Sequence, residues 1–307
     1  MNENVKENSV KSTISFDSAS GKFVGSVNGK VIVRSKYESA VKARLAEMSG
    51  TIVEAEQALE AKNEKYGINE RFSFVEKLVT MVATGVQPSA VITGEGGLGK
   101  TYTVTKTLEA NGLKDISDLA DFQVGSVINI RKCFTFVKGY STPKGLYRTL
   151  FENNKGTIVF DDCDAVLKDP VALNLLKSAL DSYGKRIISW NADMRDEDLP
   201  RSFNFEGRVI FISNMDQSKI DQAIRSRSMM IDLSMTKGQK IDRMEHIAKS
   251  EEFLPEYDLD AKMDALSLIR EIKDECKEIS LRTLISVTKV RASNKDWKDL
   301  ATYMLTA

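Results

Sequence analysis

The spacing of apolar residues changes period repeatedly along this chain, and each change marks an element. Phe23-Val24-Gly25-Ser26-Val27 and Lys30-Val31-Ile32-Val33 flank Asn28-Gly29, a pair suited to the type I′ turn of a tight β-hairpin. From Tyr37 to Lys65 the pattern is helical: Val41, Leu45, Met48, Ile52, Ala55 and Leu59 recur alternately four and three apart, with Gly50 as a candidate break into a helical hairpin. Phe74, Val75, Leu78, Val79 and Val82 predict an amphipathic helix. Ala90 to Thr93 is a short β-prone run, and Lys100-Thr101 open a helical pattern closed by Gly112. Past a polar connection, Val127-Ile128-Asn129-Ile130 and Cys133 to Val137 read as strands and Lys144 to Glu152 as a helix. Thr157-Ile158-Val159-Phe160 has the continuous apolar character of a strand buried on both faces of a parallel sheet. Arg208 to Ser213 and Met229 to Leu233 read as two more strands. From Lys237 the pattern is helical again, with Ile241, Met244 and Ile247, then Leu266, Ile269 and Ile272, then Trp297, Leu300 and Met304 as the inward positions.

This order predicts four segments: a flexible polar arm over 1–21, a hairpin and helical extension over 22–67, an α/β core over 68–236 with a parallel sheet between helical layers, and a helical lid over 237–307. At 307 residues and 42% hydrophobic content the chain can bury a sizeable core. Lys+Arg and Asp+Glu both total 44, so any polyanionic partner must be met by a local basic patch rather than by net charge. Cys133, Cys163 and Cys276 lie far apart and His246 is the only histidine, which excludes a zinc site, a disulfide framework and a His-dependent triad. No apolar run reaches the length of a membrane span, and the opening MNENVKENSVKS lacks the apolar stretch of a signal peptide; a cytoplasmic protein without membrane contact is expected.

The candidate chemistry centres on Ser89 to Thr107, where a strand, a glycine loop and a helix follow one another. Gly94-Glu95-Gly96-Gly97-Leu98-Gly99-Lys100-Thr101 fits the phosphate-loop spacing G-x-x-x-x-G-K-[ST]. Backbone N–H groups curl around a phosphate only where no Cβ blocks the approach, and the following helix, with Tyr102 in its first turn, turns unpaired N–H groups and its positive dipole end to the same anion. Lys100 then suits the β and γ phosphates of ATP, and the Thr101 hydroxyl suits Mg²⁺. Ligands of an open parallel sheet gather at the carboxyl ends of its strands. Asp161 and Asp162 close one such strand, the first placed to steady Mg²⁺ and the second to polarise an attacking water. Asn214 closes another, where an uncharged amide can bond γ-phosphate and water without competing for metal.

In this order the motifs resemble those of an AAA+ ATPase. GEGGLGKT is similar to Walker A, TIVFDD to Walker B and VIFISN to the sensor 1 strand. AIRSRS resembles the segment that carries the arginine finger, pointing to Arg227, with Arg225 as the second candidate; Ser280-Leu281-Arg282-Thr283-Leu284 resembles sensor 2, which makes Arg282 a γ-phosphate contact. The resemblance runs from Phe72 to the end, with one departure: the family usually places Glu where this chain has Asp162. Lys185 to Trp190 and Phe203-Asn204-Phe205 read as a hairpin inserted before sensor 1, with Asp193, Met194 and Arg195 at its tip. Tyr140, after Gly139, falls where the family's pore loop falls.

A finger acting on a neighbour's nucleotide implies a homo-oligomer, most often a hexameric ring with ATP at subunit boundaries. The resemblance therefore implies an ATP-hydrolysing motor that remodels or translocates DNA or RNA, or a protein bound to it. The hairpin and an SRS segment similar to that of sliding-clamp loaders favour that version, and the Lys-, Asn- and Ile-rich sequence resembles phage-encoded ATPases. Two other readings stay open: a protein-remodelling ATPase recruiting a protein client through its N-terminal extension, and a slow nucleotide-dependent scaffold, suggested by Asp162.

Overall fold

A computed structural model of the chain describes residues 12–18, 20–27, 30–48, 65–117, 129–181, 184–191 and 199–307. The chain divides into two compact units, one of Ile68–Ser234 and one of Met1–Gly67 with Met235–Ala307.

Three N-terminal strands, β1 (Ser12–Asp17), β2 (Lys22–Val27) and β3 (Lys30–Ser35), form an antiparallel sheet in which Val27 faces Lys30, and residues 38–48 form helix α1. Val27, Val41 and Leu45 make a small core with Ile14, Phe23, Ile32 and Val33 around it. A side chain at Gly25 would come within 2.6 Å of Val41, so this glycine is what lets α1 lie close to the sheet. Over 12–17, strand β1 stands where a flexible arm was expected across 1–21; residues 1–11 lie outside the described residues. Ile14 joins the core and Phe16 sets its ring 5.0 Å from Phe23, so two alternating apolar residues suffice to dock an otherwise polar strand. Asn28-Gly29, Gly50 and the seam residues Ile52, Ala55 and Leu59 lie outside the described residues.

The larger unit is a three-layer α/β structure. Its elements in order are α2 (Ile68–Ala83), β4 (Ser89–Thr93), α3 (Lys100–Ala110), β5 (Lys114–Asp115), β6 (Cys133–Lys138), α4 (Pro143–Glu152), β7 (Thr157–Asp161), α5 (Pro170–Ala179), β8 (Ile187–Ser189), β9 (Ser202–Asn204), β10 (Arg208–Ser213), α6 (Gln222–Arg227) and β11 (Met229–Asp232). Six strands form one parallel sheet in the order β11-β4-β10-β7-β6-β5. Alternation along the strands divides the core. Val91, Ile158, Phe160, Val209 and Phe211 pack with Leu146, Leu150, Leu176 and Ile224 from α4, α5 and α6. Helices α2 and α3 pack against each other, with α2 against β4, β10 and β11. The expected strand around Ile130 is instead a 3-10 turn, Ile130–Lys132, held by the Asn129 side chain accepting the Arg131 N–H at 3.2 Å; Val127 and Ile128 lie outside the described residues. Strands β8 and β9 form the expected hairpin, with Trp190 beside Tyr147 at 5.7 Å, while its tip falls outside the described residues.

The C-terminal helices are α7 (Lys237–Ala248), α8 (Leu259–Glu271), α9 (Leu281–Ser293) and α10 (Trp297–Thr306). Ile241, Met244, Leu266, Ile269, Leu284 and Val287 are buried. On α10 the inward positions are Trp297, Ala301 and Leu305, and the expected Leu300 and Met304 are 46% and 48% exposed. The buried positions step by four from Trp297, which turns 300 and 304 outward. No helix among the described residues is long and apolar enough to cross a membrane.

Candidate functional site

The site is built at the carboxyl ends of β4, β10 and β7, which are consecutive in the sheet. Strand β10 lies between the strand that leads into the glycine loop and the strand that ends in Asp161. Register pairs Ser213 with Thr93 and Ile212 with Asp161, so Asn214 emerges between the loop and the two aspartates.

The loop runs from Gly94 to Gly99. Gly94 has φ 135°, and a Cβ there would stand 2.8 Å from the Leu233 carbonyl carbon, so the loop leaves β4 pressed against the end of β11 where only glycine fits. Gly99 begins α3 in the left-handed region at φ 94° with no side-chain cap. Helices α4 to α9 each begin on a Ser, Thr or Asp side chain that accepts a first-turn N–H. The starts of α3 and α10 have no such side chain, and at α3 the glycine loop turns the first N–H groups toward the place a phosphate would take. Leu98 is buried and anchors the loop, so its contribution to a ligand is its backbone; Glu95 and Gly96 are exposed, and Tyr102 is exposed with Lys106 5.7 Å from its ring.

Lys100 is the hub. It is 6% exposed, and its ammonium donates to Gly94 O at 2.6 Å, Glu95 O at 2.7 Å and Asn214 Oδ1 at 2.9 Å. Burial lowers its pKa to about 8, against the opposing pull of Asp162, Asp161, Glu95 and Asp164. The Asn214 amide then donates from Nδ2 to Asp162 Oδ1 at 2.6 Å, which fixes both ends of the amide between a cation and an anion. Asp162 takes a positive φ of 53° and its N–H donates to Ile212 O at 3.2 Å. The Thr101 hydroxyl reaches both Asp161 oxygens at 3.1 Å, and Lys138 stands 3.9 Å from Asp161 Oδ2. Burial raises the Asp161 pKa, the Thr101 hydrogen bond opposing it.

The residues present fit a nucleotide with magnesium. Gly94, Gly97 and Gly99 hold conformations that side chains would strain, and a buried cation faces the loop. No group of three or more His, Cys, Asp and Glu among the described residues could hold a metal alone. Thr101 and Asp161 would supply the protein oxygens, phosphates and water the rest, as Mg²⁺ prefers.

The sequence-predicted residues Lys100, Thr101, Asp161, Asp162 and Asn214 are thus brought together. Arg227 is not among them. The Ser89 hydroxyl donates to the Arg227 carbonyl at 3.1 Å and lies 2.8 Å from the Ser228 hydroxyl, fastening this backbone to the starting end of β4. At roughly 3.3 Å per residue, Ser89 lies about 13 Å from the loop end of the same strand. The Arg227 guanidinium donates to Ala223 O at 3.1 Å while its Nε is buried with no hydrogen-bond partner among the described residues, and Arg225 on the same helix is exposed. Arg282 belongs to the other unit, where it is exposed in the first turn of α9 beside a cavity of about 310 Å³ also lined by Lys277, Ser280, Thr283 and Met304. Tyr140 is 79% exposed after Gly139, and Cys133, Cys163 and Cys276 are free and buried. Sequence reasoning passed over Ser213 and Asp164, whose side chains meet at 2.6 Å beside Asn214; the available signal was position alone, one residue before the amide and three after Asp161.

The chain matches no protein-family model. It is similar to a protein of Enterobacteria phage T4, "Uncharacterized 36.7 kDa protein in nrdC-mobD intergenic region", with 28% identity over 257 residues that cover 78% of this chain and 74% of that protein.

Proposed function

We propose that this chain binds ATP with Mg²⁺ and hydrolyses it as an oligomeric ATPase of the AAA+ type. The observation that carries the reading is the buried Lys100, held against the glycine loop and bonded to Asn214, with the Thr101–Asp161 pair beside it. A buried ammonium that spends its three hydrogens on two carbonyls and an amide is costly unless an anion replaces some of those partners. Triphosphate does so, and the exchange releases Asn214 and Asp162 to hold a water in line with the γ-phosphate. Thr101 and Asp161 would hold magnesium, which when bound supplies positive charge beside the phosphates. The backbone at Arg227 sits at the opposite end of β4 from its own loop, which favours action on a neighbouring subunit's nucleotide, and Arg225 is the exposed alternative. For Arg282 the resemblance to sensor 2 implies a γ-phosphate contact.

The β8–β9 hairpin and the exposed Tyr140 suit a motor that moves DNA or RNA, or a protein bound to it. The N-terminal sheet is the candidate client-recruiting element of a protein-remodelling version. The test is phosphate release with ATP and Mg²⁺, with and without single- or double-stranded DNA or RNA, run with sizing of the protein under the same conditions. Phosphate release absent from Lys100→Ala supports the reading, and stimulation by nucleic acid selects the first version. ATP binding with no turnover leaves only the scaffold.

A further inference from the structure

Asn214 is exposed, yet its two short bonds require its amide to be held closely, and the chain around it shows how this is done. Ser213 is fully buried. Its hydroxyl donates to Asp164 Oδ1 at 2.6 Å and accepts the Met215 N–H at 3.0 Å, so one side chain ties the residues before and after Asn214 to the turn that follows β7. The Asp162 N–H bonded to Ile212 O adds a third tie between the same two chain segments. Residues 212, 213 and 215 are therefore fastened to the strand end that carries Asp161 and Asp162, with 214 suspended between them.

Stability alone does not call for this pairing. Replaced together by apolar groups of the same shape, a hydrogen-bonded hydroxyl and carboxylate cost little, whereas positioning at a reacting centre is sensitive to displacements of an ångström. We infer that Ser213 and Asp164 are positioning residues for the ATPase reaction, a clasp that sets Asn214 in register with Asp162; the inference rests on the ATPase reading above. Neither residue touches the nucleotide. Both act through Asn214.

The test is steady-state ATPase kinetics and fluorescent-ATP binding for Ser213→Ala, Asp164→Ala and Asp164→Asn, each alone and combined with Asn214→Ala, with melting temperatures recorded. Ser213→Ala and Asp164→Ala should lower kcat between about tenfold and a hundredfold. Nucleotide Kd should stay within about twofold, and neither substitution should add to the loss in Asn214→Ala, as expected of residues acting as one unit. Asp164→Asn keeps an oxygen to accept from Ser213 and should retain near-full turnover; Ser213→Ala, which removes a single oxygen, keeps the test decisive if Asp164→Ala does not fold, since an unchanged kcat in it overturns the inference. Losses that multiply with Asn214→Ala, or an Asp164→Asn as impaired as Asp164→Ala, overturn the inference while leaving the ATPase reading standing. A wild-type chain that binds ATP but hydrolyses none overturns both.

Discussion

Binding of a triphosphate should be coupled to protonation of Lys100. In the ligand-free chain burial holds this lysine at a pKa of about 8, so it is partly neutral under mildly alkaline conditions. A polyphosphate within ion-pair distance favours the charged form and returns the pKa to at least the ordinary lysine value of about 10.4. Because the bound state then holds more protons than the free state between those two values, binding takes up protons, and affinity falls as pH rises. The uptake should be about 0.1 proton per ATP at pH 7, about 0.5 at pH 8 and about 0.9 at pH 9. Affinity should weaken about tenfold between pH 7 and 9, or about 1.4 kcal/mol. The second ionisation of a phosphate, near pH 6, is largely complete below this window and does not mimic the effect. The assay is isothermal titration calorimetry at pH 8 in two buffers of different ionisation enthalpy. Lys100→Arg is the control, since a guanidinium stays charged and should abolish the uptake wherever it still binds. Tight ATP binding with equal heats in both buffers, and an affinity flat from pH 7 to 9, would refute the assignment of Lys100 to the phosphates.

Three further outcomes are expected. Asp161→Asn should keep nucleotide binding in the presence of EDTA while raising the Mg²⁺ concentration for half-maximal phosphate release by at least about tenfold, with Thr101→Ala acting in the same direction, as a magnesium titration would show. Gly94→Ala places a methyl against the Leu233 backbone at a positive φ, so it should destabilise the fold by about 2 kcal/mol or more, read from denaturant melts. Arg227→Ala or Arg225→Ala should lose on the order of a thousandfold in turnover if it removes the finger, and mixing that variant with Lys100→Ala subunits should restore phosphate release. Failure of every mixture to recover activity would count against shared sites.

Much of this architecture was legible because parallel strands buried on both faces announce themselves: Thr157–Asp161 and Arg208–Ser213 are nearly uninterrupted apolar runs, the first ending on Asp161 and the second followed by Asn214. Strand β1 was not legible, since Ile14 and Phe16 are its only large apolar residues, and neither was β5, two residues long. On α10 the periodicity allowed two faces, and the small Ala301 decided between them through packing no single-sequence pattern contains. At the site, motif spacing found the loop, both aspartates and Asn214. Ser213 and Asp164 escaped because a lone hydroxyl at the end of a strand and an acid in a turn look ordinary until the sheet order brings them together.

The backbone of Asp162 bears on the one departure from the AAA+ pattern that the motifs resemble. Its φ of 53° lies where aspartate and asparagine are several-fold enriched and longer side chains are uncommon. The short acid and the unusual bend suit each other: what reach the side chain gives up, the bend can return by carrying the carboxylate toward Asn214. Installing glutamate would therefore not recreate the familiar arrangement. It would lengthen the arm while setting a less tolerant residue on the same bend, so acid and backbone must be exchanged together if either is to be exchanged at all.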